Sequence, residues 1–351
     1  MSIERNARRV TLASRPTGLP KADNFALETF SSEAPKAGEV LVKISHFSLD
    51  PYMRGRMDDV ASYAAPVNLG GVMEAGAIGR VEESASDEVK VGDWVYGRMG
   101  WAEAAIIDAS LVRKIPASMQ PKSLSLGMLG MPGFTGWWGL TQHGRPKAGE
   151  TLVVGAVTGP VGSMVVQLAR RMGLKTIGIA GSEEKCGIAV DKFGVDHCLN
   201  HRMFNSAAEL QSALKDLAPD GVDIYFENVG GKLFEAVVPE MNEFGRMVVC
   251  GMISWYNEGA LGADAQTERI SVANLWRTIL VKKLSVNGFI ISDHLSNYSE
   301  FVSAVQPLVA SGEIQYIEDV VKGIDNAPDA FIGLLPCLLY TSDAADEEDS
   351  L

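Results

Sequence analysis

The pattern of apolar and polar positions changes rhythm once, near residue 150. Before that point the apolar runs are short: VLVKISH at 40–46, AIGRVEE at 77–83, DWVYG at 93–97 and AEAAIID at 102–108. Runs of this length, bounded by turn residues, read as strands. The phrase PKAGE stands at 35–39 and again at 146–150, each time ahead of an apolar run. Both copies read as strand-leading turns rather than as a domain repeat.

From Thr151 the pattern alternates between strand and helix. TLVVG (151–155) is a strand, and Val161, Met164, Val165, Leu168 and Met172 follow at helical spacing, with Gly173 able to end the helix. Further strands are predicted at 175–180, 197–200, 222–228, 246–251 and 284–290, with helices around 185–193, 207–217 and after Gly231. Strands joined by crossover helices imply a doubly wound parallel sheet. The fold class is therefore α/β: a β-rich first domain and a Rossmann second domain. A helix is expected at 298–310 and a strand at 315–321, a piece that returns to the first domain. The domain assignment is 1–125 completed by 298–335, then 126–297, with 336–351 set apart.

Length and charge narrow the function. A chain of 351 residues is long for one core and favours two domains. The formal net charge is −13, with Asp343, Asp346, Glu347, Glu348 and Asp349 crowded at the end. An acidic chain without a basic tract is a poor nucleic-acid binder. The start, MSIERNARRV, carries charges where a signal peptide needs apolar residues, and the apolar stretch 152–166 is too short to span a bilayer. Cys186, Cys198, Cys250 and Cys337 are scattered, which suits a reducing cytoplasm.

The stretch GAVTGPVG, between the first strand and helix of the second domain, offers the frame Ala156, Gly159, Gly162. Gly159 lets the backbone approach a pyrophosphate, Gly162 lets the helix pack near the strand, and the helix N-terminus attracts an anion. Val157 stands where the usual fingerprint has its first glycine. The second strand ends in Ala180-Gly181-Ser182, without the carboxylate that grips an NAD ribose. Ser182 and Lys185 can instead bind a 2′-phosphate, so NADPH is expected over NADH. Glu183 and Glu184 are expected to point outward.

Zinc needs converging Cys, His and carboxylate ligands. Before Cys186 the chain has no cysteine and only His46 and His143. A metal-free enzyme is expected, with His46 an ordinary strand residue. Charge developing on a carbonyl oxygen must then meet hydrogen-bond donors, and a protonated phenol serves. Tyr52, Tyr63 and Tyr256 lie in loop-like contexts. Tyr256 follows the fifth strand of the parallel sheet, where substrates sit in such folds, and is the first choice.

These segments resemble the zinc-free medium-chain dehydrogenase/reductase superfamily, and within it the NADPH-dependent alkenal/one reductases, including prostaglandin/leukotriene reductases and the bacterial curcumin-reductase branch. SLDPYMRGRM, LGGVMEAGAIGRV, LGMLGMPGFTGWWGL, ETLVVGAVTGPVGSMVVQLA, AGSEEKC, IYFENVGGK, VVCGMISWYN, GFIISD and NAPDAFIGLL carry the likeness. It implies a chaperonin-10-like (GroES-like) catalytic domain beside the Rossmann domain, NADPH as cofactor and a homodimer. Thr158, Gly159, Pro160, Val161 and Gly162 map onto the phosphate turn, and Lys185 onto the lysine of the 2′-phosphate. His201 stands where many relatives have a tyrosine. Asn228 maps onto a cofactor-contacting asparagine. Residues 250–256, with Cys250, Gly251 and Ile253, and Phe289, Ile290 and Ile291 map onto loops beside the nicotinamide, and Met131 onto the MPG loop. Tyr52, Tyr63 and Tyr256 match active-site tyrosines. The implied reaction is hydride transfer to the β-carbon of an enone or enal. A zinc-free quinone reductase and a catalytically silent NADPH-binding protein are the rivals.

After FIGLL, relatives run into a GK-rich turn and a last strand, whereas this chain reads PCLLYTSDAADEEDSL. That string resembles a translated sequencing adapter. The expectation is a non-native tail over 336–351, and an unpaired sheet edge if the tail is real.

Overall fold

Short strands with turn residues between them build the first part of the chain. The computed structural model describes residues 6–258 and 271–336, and the backbone of 345 and 346. β1 (Asn6–Leu12) and β2 (Phe25–Ser31) pair antiparallel as a separate ribbon. β3 (Glu39–Phe47), β4 (Gly76–Ser84), β5 (Trp94–Arg98) and β7 (Arg113–Lys114) form an antiparallel sheet in that order, and β6 (Ala104–Asp108) also pairs with β3. The one-turn helix α1 (Met53–Arg56) lies between β3 and β4 and is buried throughout.

The second rhythm folds as its period demands. α2 (Met131–Trp138) leads into β8 (Thr151–Gly155), α3 (Pro160–Arg171), β9 (Lys175–Ala180), α4 (Glu183–Asp191), β10 (His197–Asn200) and α5 (Ala207–Leu217). β11 (Val222–Glu227), α6 (Gly231–Val237), β12 (Met241–Val249), α7 (Val272–Lys282), β13 (Ser285–Gly288) and α8 (Tyr298–Ala310) follow. The six strands are all parallel, in the order β10-β9-β8-β11-β12-β13. Strand order reverses between β8 and β11, and ligands of open parallel sheets bind at the carboxyl ends of such a pair.

Two units result: 1–130 with 256–263 and 318–351, and 131–255 with 264–317. The helix at 298–310 was expected to complete the first domain; it belongs to the second unit. Aromatic packing explains this. Phe301 of α8 meets Phe134 and Trp137 of α2 at ring distances of 5.4 and 5.9 Å. Nor is 315–321 a strand, apart from its last residue: β14 is Val321–Lys322 alone. At Gln315 the side-chain amide of Gln167 does the work of a neighbouring strand, taking the backbone N–H at 2.7 Å and donating to the carbonyl at 2.9 Å.

The chain then returns to the first unit. α9 (Ala327–Leu334) inserts Phe331 against Trp101, which also stacks on Phe25 and Phe47 at 5.6 and 6.0 Å. Most of the expected tail, 337–344 and 347–351, lies outside the described residues. The short strand β15 (Ala345–Asp346) runs between β14 and β3, pairing antiparallel with His46 and Phe47, so this edge of the sheet is covered.

The turn after β8 depends on three close approaches. A Cβ on Gly162 would run into the carbonyl oxygen of Ala156 and lie 2.9 Å from Cα of Val157, so only glycine lets α3 start this near the strand. Val157, in the place of a glycine, is fully buried. It fits because β9 has Gly178 opposite: a Cβ there would lie 2.7 Å from Cγ2 of Val157. A side chain added in the turn is thus matched by one absent from the adjacent strand. Ala156 itself has φ +51, in the left-handed region usually left to glycine.

This packing makes a paired expectation. Gly178→Ala loses about 1–3 kcal/mol through overpacking, read as a lower urea midpoint. Adding Val157→Ala to that variant recovers most of the loss; a double variant no better than the single would contradict the pairing.

Candidate functional site

Two groups of candidate residues form, one in each unit. In the second unit, Gly159 is the N-cap of α3 and Pro160 its first residue, a place where proline's missing N–H costs nothing. Thr158 and Gly162 are buried and Pro160 and Val161 half-buried. The first turn of a helix leaves N–H groups without intrahelical partners and a partial positive charge, suited to a phosphate.

Across the switch point, Asn228 follows β11 and its amide Nδ2 donates to the carbonyl of Gly155 at the end of β8, at 3.1 Å. The loop that carries Asn228 is held by Glu227, whose side chain is nearly inaccessible to water. Its carboxylate accepts the Tyr225 hydroxyl and the Val229 N–H, both at 2.5 Å, and the Gly230 N–H at 2.8 Å. Burial pushes its pKa up, against the pull of these hydrogen bonds. The Glu227 carbonyl also accepts the N–H groups of Cys250 and Gly251, at 2.9 and 3.0 Å. Ile253 N–H reaches the Asn228 carbonyl at 3.3 Å, and the Ser254 hydroxyl the Val229 carbonyl at 2.6 Å. Cys250 is half-buried, and desolvation pushes its thiol pKa up to about 12, so it remains a neutral thiol. The candidates of the 228 and 250–253 segments are therefore one hydrogen-bonded body.

At the far end of β9, Ser182 caps α4 by accepting the Lys185 N–H at 3.2 Å, and Lys185 is buried. His201 opens a one-turn 3-10 helix, 201–203, directly after β10. Burial, and then Lys232, Arg202 and Lys185, lower its pKa to about 4, so the ring is neutral at neutral pH. Phe289, Ile290 and Ile291, after β13, are half-buried. Phe289 reaches over Gly139, where a Cβ would lie 2.9 Å from its ring. Met131 begins α2, and its carbonyl accepts the Thr135 hydroxyl at 2.7 Å.

In the first unit Tyr52 and Tyr63 share one arginine. The Arg56 guanidinium lies 4.1 Å from the centre of the Tyr63 ring and 6.0 Å from that of Tyr52. Glu74 ties Arg56 to Arg98, with ion pairs of 3.1 Å to each. Burial, followed by Asp50 and Glu74, raises the Tyr52 pKa well above the ordinary phenol value; burial also raises that of Tyr63. Tyr63 is nonetheless half exposed. Tyr256 is carried by a different segment, the turn Ile253–Glu258, where it is half-buried. Among the described residues no group of three or more His, Cys, Asp or Glu is placed to hold a metal ion.

Sequence reasoning passed over Glu227, Arg56, Arg98, Glu74 and Arg202. One signal was present: in VDIYFE the acid Glu227 directly follows the apolar run IYF, which marks a buried carboxylate that must find donors. Arg56 stood in the same quoted segment as Tyr52, but nothing local told its ring contacts from a solvated arginine.

Comparison with known proteins agrees with this architecture. Residues 8–115 match the family described as the N-terminal domain of oxidoreductase, and 160–308 the family described as zinc-binding dehydrogenase. The chain is 44% identical to the NADPH-dependent curcumin reductase of Escherichia coli (strain K12), over 93% of each protein. It is 38% identical to the NADP(+)-dependent 2-alkenal reductase of Nicotiana tabacum, over 95% of each. The crystal structure of CurA in complex with NADPH from Vibrio vulnificus superposes with a TM-score of 0.90 at 43% identity, covering 98% of this chain and 100% of that one. Full-length similarity at this level, with the sheet order and turn described above, places the chain in the medium-chain dehydrogenase/reductase superfamily, among the curcumin and alkenal reductases.

Proposed function

We propose that this protein is an NADPH-dependent reductase of the carbon–carbon double bond in α,β-unsaturated ketones and aldehydes. The observation that carries the reading is the full-length similarity to enzymes named for curcumin and 2-alkenal reduction. The residues present fit the dinucleotide. Gly159 and Gly162 leave the turn open, α3 presents its N-terminus, and Ser182 with buried Lys185 ends β9 without an inward carboxylate. We assign Thr158, Gly159, Pro160, Val161 and Gly162 to the pyrophosphate, and Ser182, Lys185 and His201 to the 2′-phosphate end. Asn228, Cys250, Gly251, Ile253, Phe289, Ile290, Ile291 and Met131 are assigned to the nicotinamide end.

When bound, the reduced nicotinamide supplies a hydride for the β-carbon of the substrate. The protein's part is to meet the negative charge that then grows on the substrate's carbonyl oxygen. A phenol that stays protonated does this at neutral pH without paying to reorganise. Tyr256 is assigned as the donor to that oxygen, with Tyr52 and Tyr63 lining the substrate side. Burial keeps Tyr52 in its neutral, donating form, and the Arg56 guanidinium faces both rings. Protonation of the α-carbon, by a tyrosine hydroxyl or by water, completes the reduction.

A homodimer in the cytoplasm is part of the proposal. No described helix is long and apolar enough to cross a membrane. Val272, Trp276 and Leu280 of α7 are exposed, as is Val286 on the edge strand β13, an apolar face that a second copy would cover. The described cysteines are free thiols, even Cys186 and Cys198, whose Sγ atoms lie 2.8 Å apart, as a reducing compartment maintains.

Three outcomes follow from this chemistry. With NADPH, a panel of enals, enones, diarylheptanoids and quinones shows the highest kcat/KM for the conjugated carbonyls, with mass spectrometry finding the saturated ketone or aldehyde. A preference for quinones, or no turnover with any acceptor, would overturn the assignment. Tyr256→Phe lowers kcat by ~10²–10³ while NADPH affinity is unchanged; unaltered turnover removes Tyr256 from the role. In ultraviolet titration Tyr52 stays un-ionised through the ordinary phenol range near ~10, because its pKa is raised. Tyr52→Phe therefore leaves the absorbance step in that range intact; a step smaller by one tyrosine would show that Tyr52 ionises normally.

A further inference from the structure

The turn after β10 brings a cation to the end of β9 that none of the assignments above includes. A Cβ built on Gly181 would lie 3.5 Å from Nε2 of His201, 3.6 Å from Nε of Arg202 and 3.7 Å from its Cζ. The imidazole and the guanidinium therefore sit side by side over the glycine that precedes Ser182. The turn is not free to swing away. Lys232, in the first turn of α6, donates through Nζ to the carbonyls of His201 and Phe204, both at 2.8 Å. At its start, the Asn200 side chain accepts the Arg202 N–H at 3.1 Å.

The same asparagine settles where the nearby acid goes. Its Nδ2 donates to Oε1 of Glu183 at 3.0 Å, so this carboxylate is engaged with an amide on the outside of α4. Glu184 is exposed on the same helix. The groups that bear on His201 after burial are Lys232, Arg202 and Lys185, all cations. Lys185, Arg202 and Lys232 thus bring three positive charges near one neutral ring, a setting that favours an anion. A guanidinium presents a planar fork of N–H donors that matches two phosphate oxygens at once.

We propose that Arg202 is a specificity-determining residue, donating its guanidinium to the 2′-phosphate of the cofactor, and that Lys232 is the positioning residue that holds the Arg202 turn over Gly181. The inference rests on the NADPH reading and adds what discriminates NADPH from NADH. Lys185 supplies a buried point charge from α4; Arg202 closes the opposite side from the 201–203 turn. The Glu183 carboxylate turns to the Asn200 amide.

The test is direct binding, measured by calorimetry on the full chain with no acceptor present. Arg202→Met weakens NADPH by about 10–100-fold, the range expected for losing charge-assisted hydrogen bonds, and leaves NADH within about twofold. The same loss appears with 2′,5′-ADP and not with 5′-AMP. Arg202→Lys keeps part of the preference. Lys232→Met also weakens NADPH selectively. In the double variant the two losses do not add, because both act through one turn. Arg202 is exposed, so its replacement keeps the wild-type melting temperature. Equal weakening of NADPH and NADH, or an unchanged ratio in Arg202→Met, would overturn the role of Arg202. A wild-type protein that binds NADPH no better than NADH would instead overturn the cofactor reading, and Arg202 with it.

Discussion

A buried carboxylate at the end of β11 governs the carboxyl edge of the parallel sheet. Removing an ionised acid from water costs several kcal/mol unless its oxygens are fully bonded. Glu227 meets that demand with the Tyr225 hydroxyl and the N–H groups of Val229 and Gly230. Directly after these donors the chain turns, with Gly230 and Gly231 at φ of +79 and +55, a path open to glycine. The backbone carbonyl of the same residue collects Cys250 and Gly251, and Asn228 reaches back to β8. The loops that follow β11 and β12 thus hold each other and the end of β8.

How much of this could be read from the chain depended on distance along it. The Rossmann half was legible because its period changes in step with its elements: Val161, Met164, Val165 and Leu168 mark the face of α3 without knowledge of anything remote. Gly159 and Gly162 were legible because a turn between strand and helix has few alternatives. What escaped depends on partners far away in sequence. Val157 reads as a defect in the turn until Gly178 is seen opposite it. Gln167 reads as an ordinary helix residue until its amide meets the backbone of Gln315. The α8 helix could have gone to either unit, and its ring contacts with α2, Phe301 on Phe134 and Trp137, decide. The tyrosines could be chosen as donors by their chemistry, yet Arg56 beside Tyr52 and Tyr63 was invisible as a partner because its role is one of aim.

Charge is distributed against the average. The chain carries a formal −13, and still gathers Lys185, Arg202 and Lys232 around one imidazole. A local positive focus in a negative protein attracts a polyanionic nucleotide at one place and repels it elsewhere. Keeping His201 neutral belongs to the same economy, since a further positive charge there would add repulsion before an anion is present.

Ala156 leaves a different mark. A non-glycine residue in the left-handed region carries a penalty of roughly 1–2 kcal/mol, and this one sits in the turn that α3 and β8 share. The fold tolerates the penalty because the surrounding interior is rigid enough to impose it. The chain therefore holds an unclaimed margin of robustness at a single methyl group, in a bend whose shape would survive its loss. Descendants of this sequence could grow more heat-resistant there without touching a residue that meets substrate.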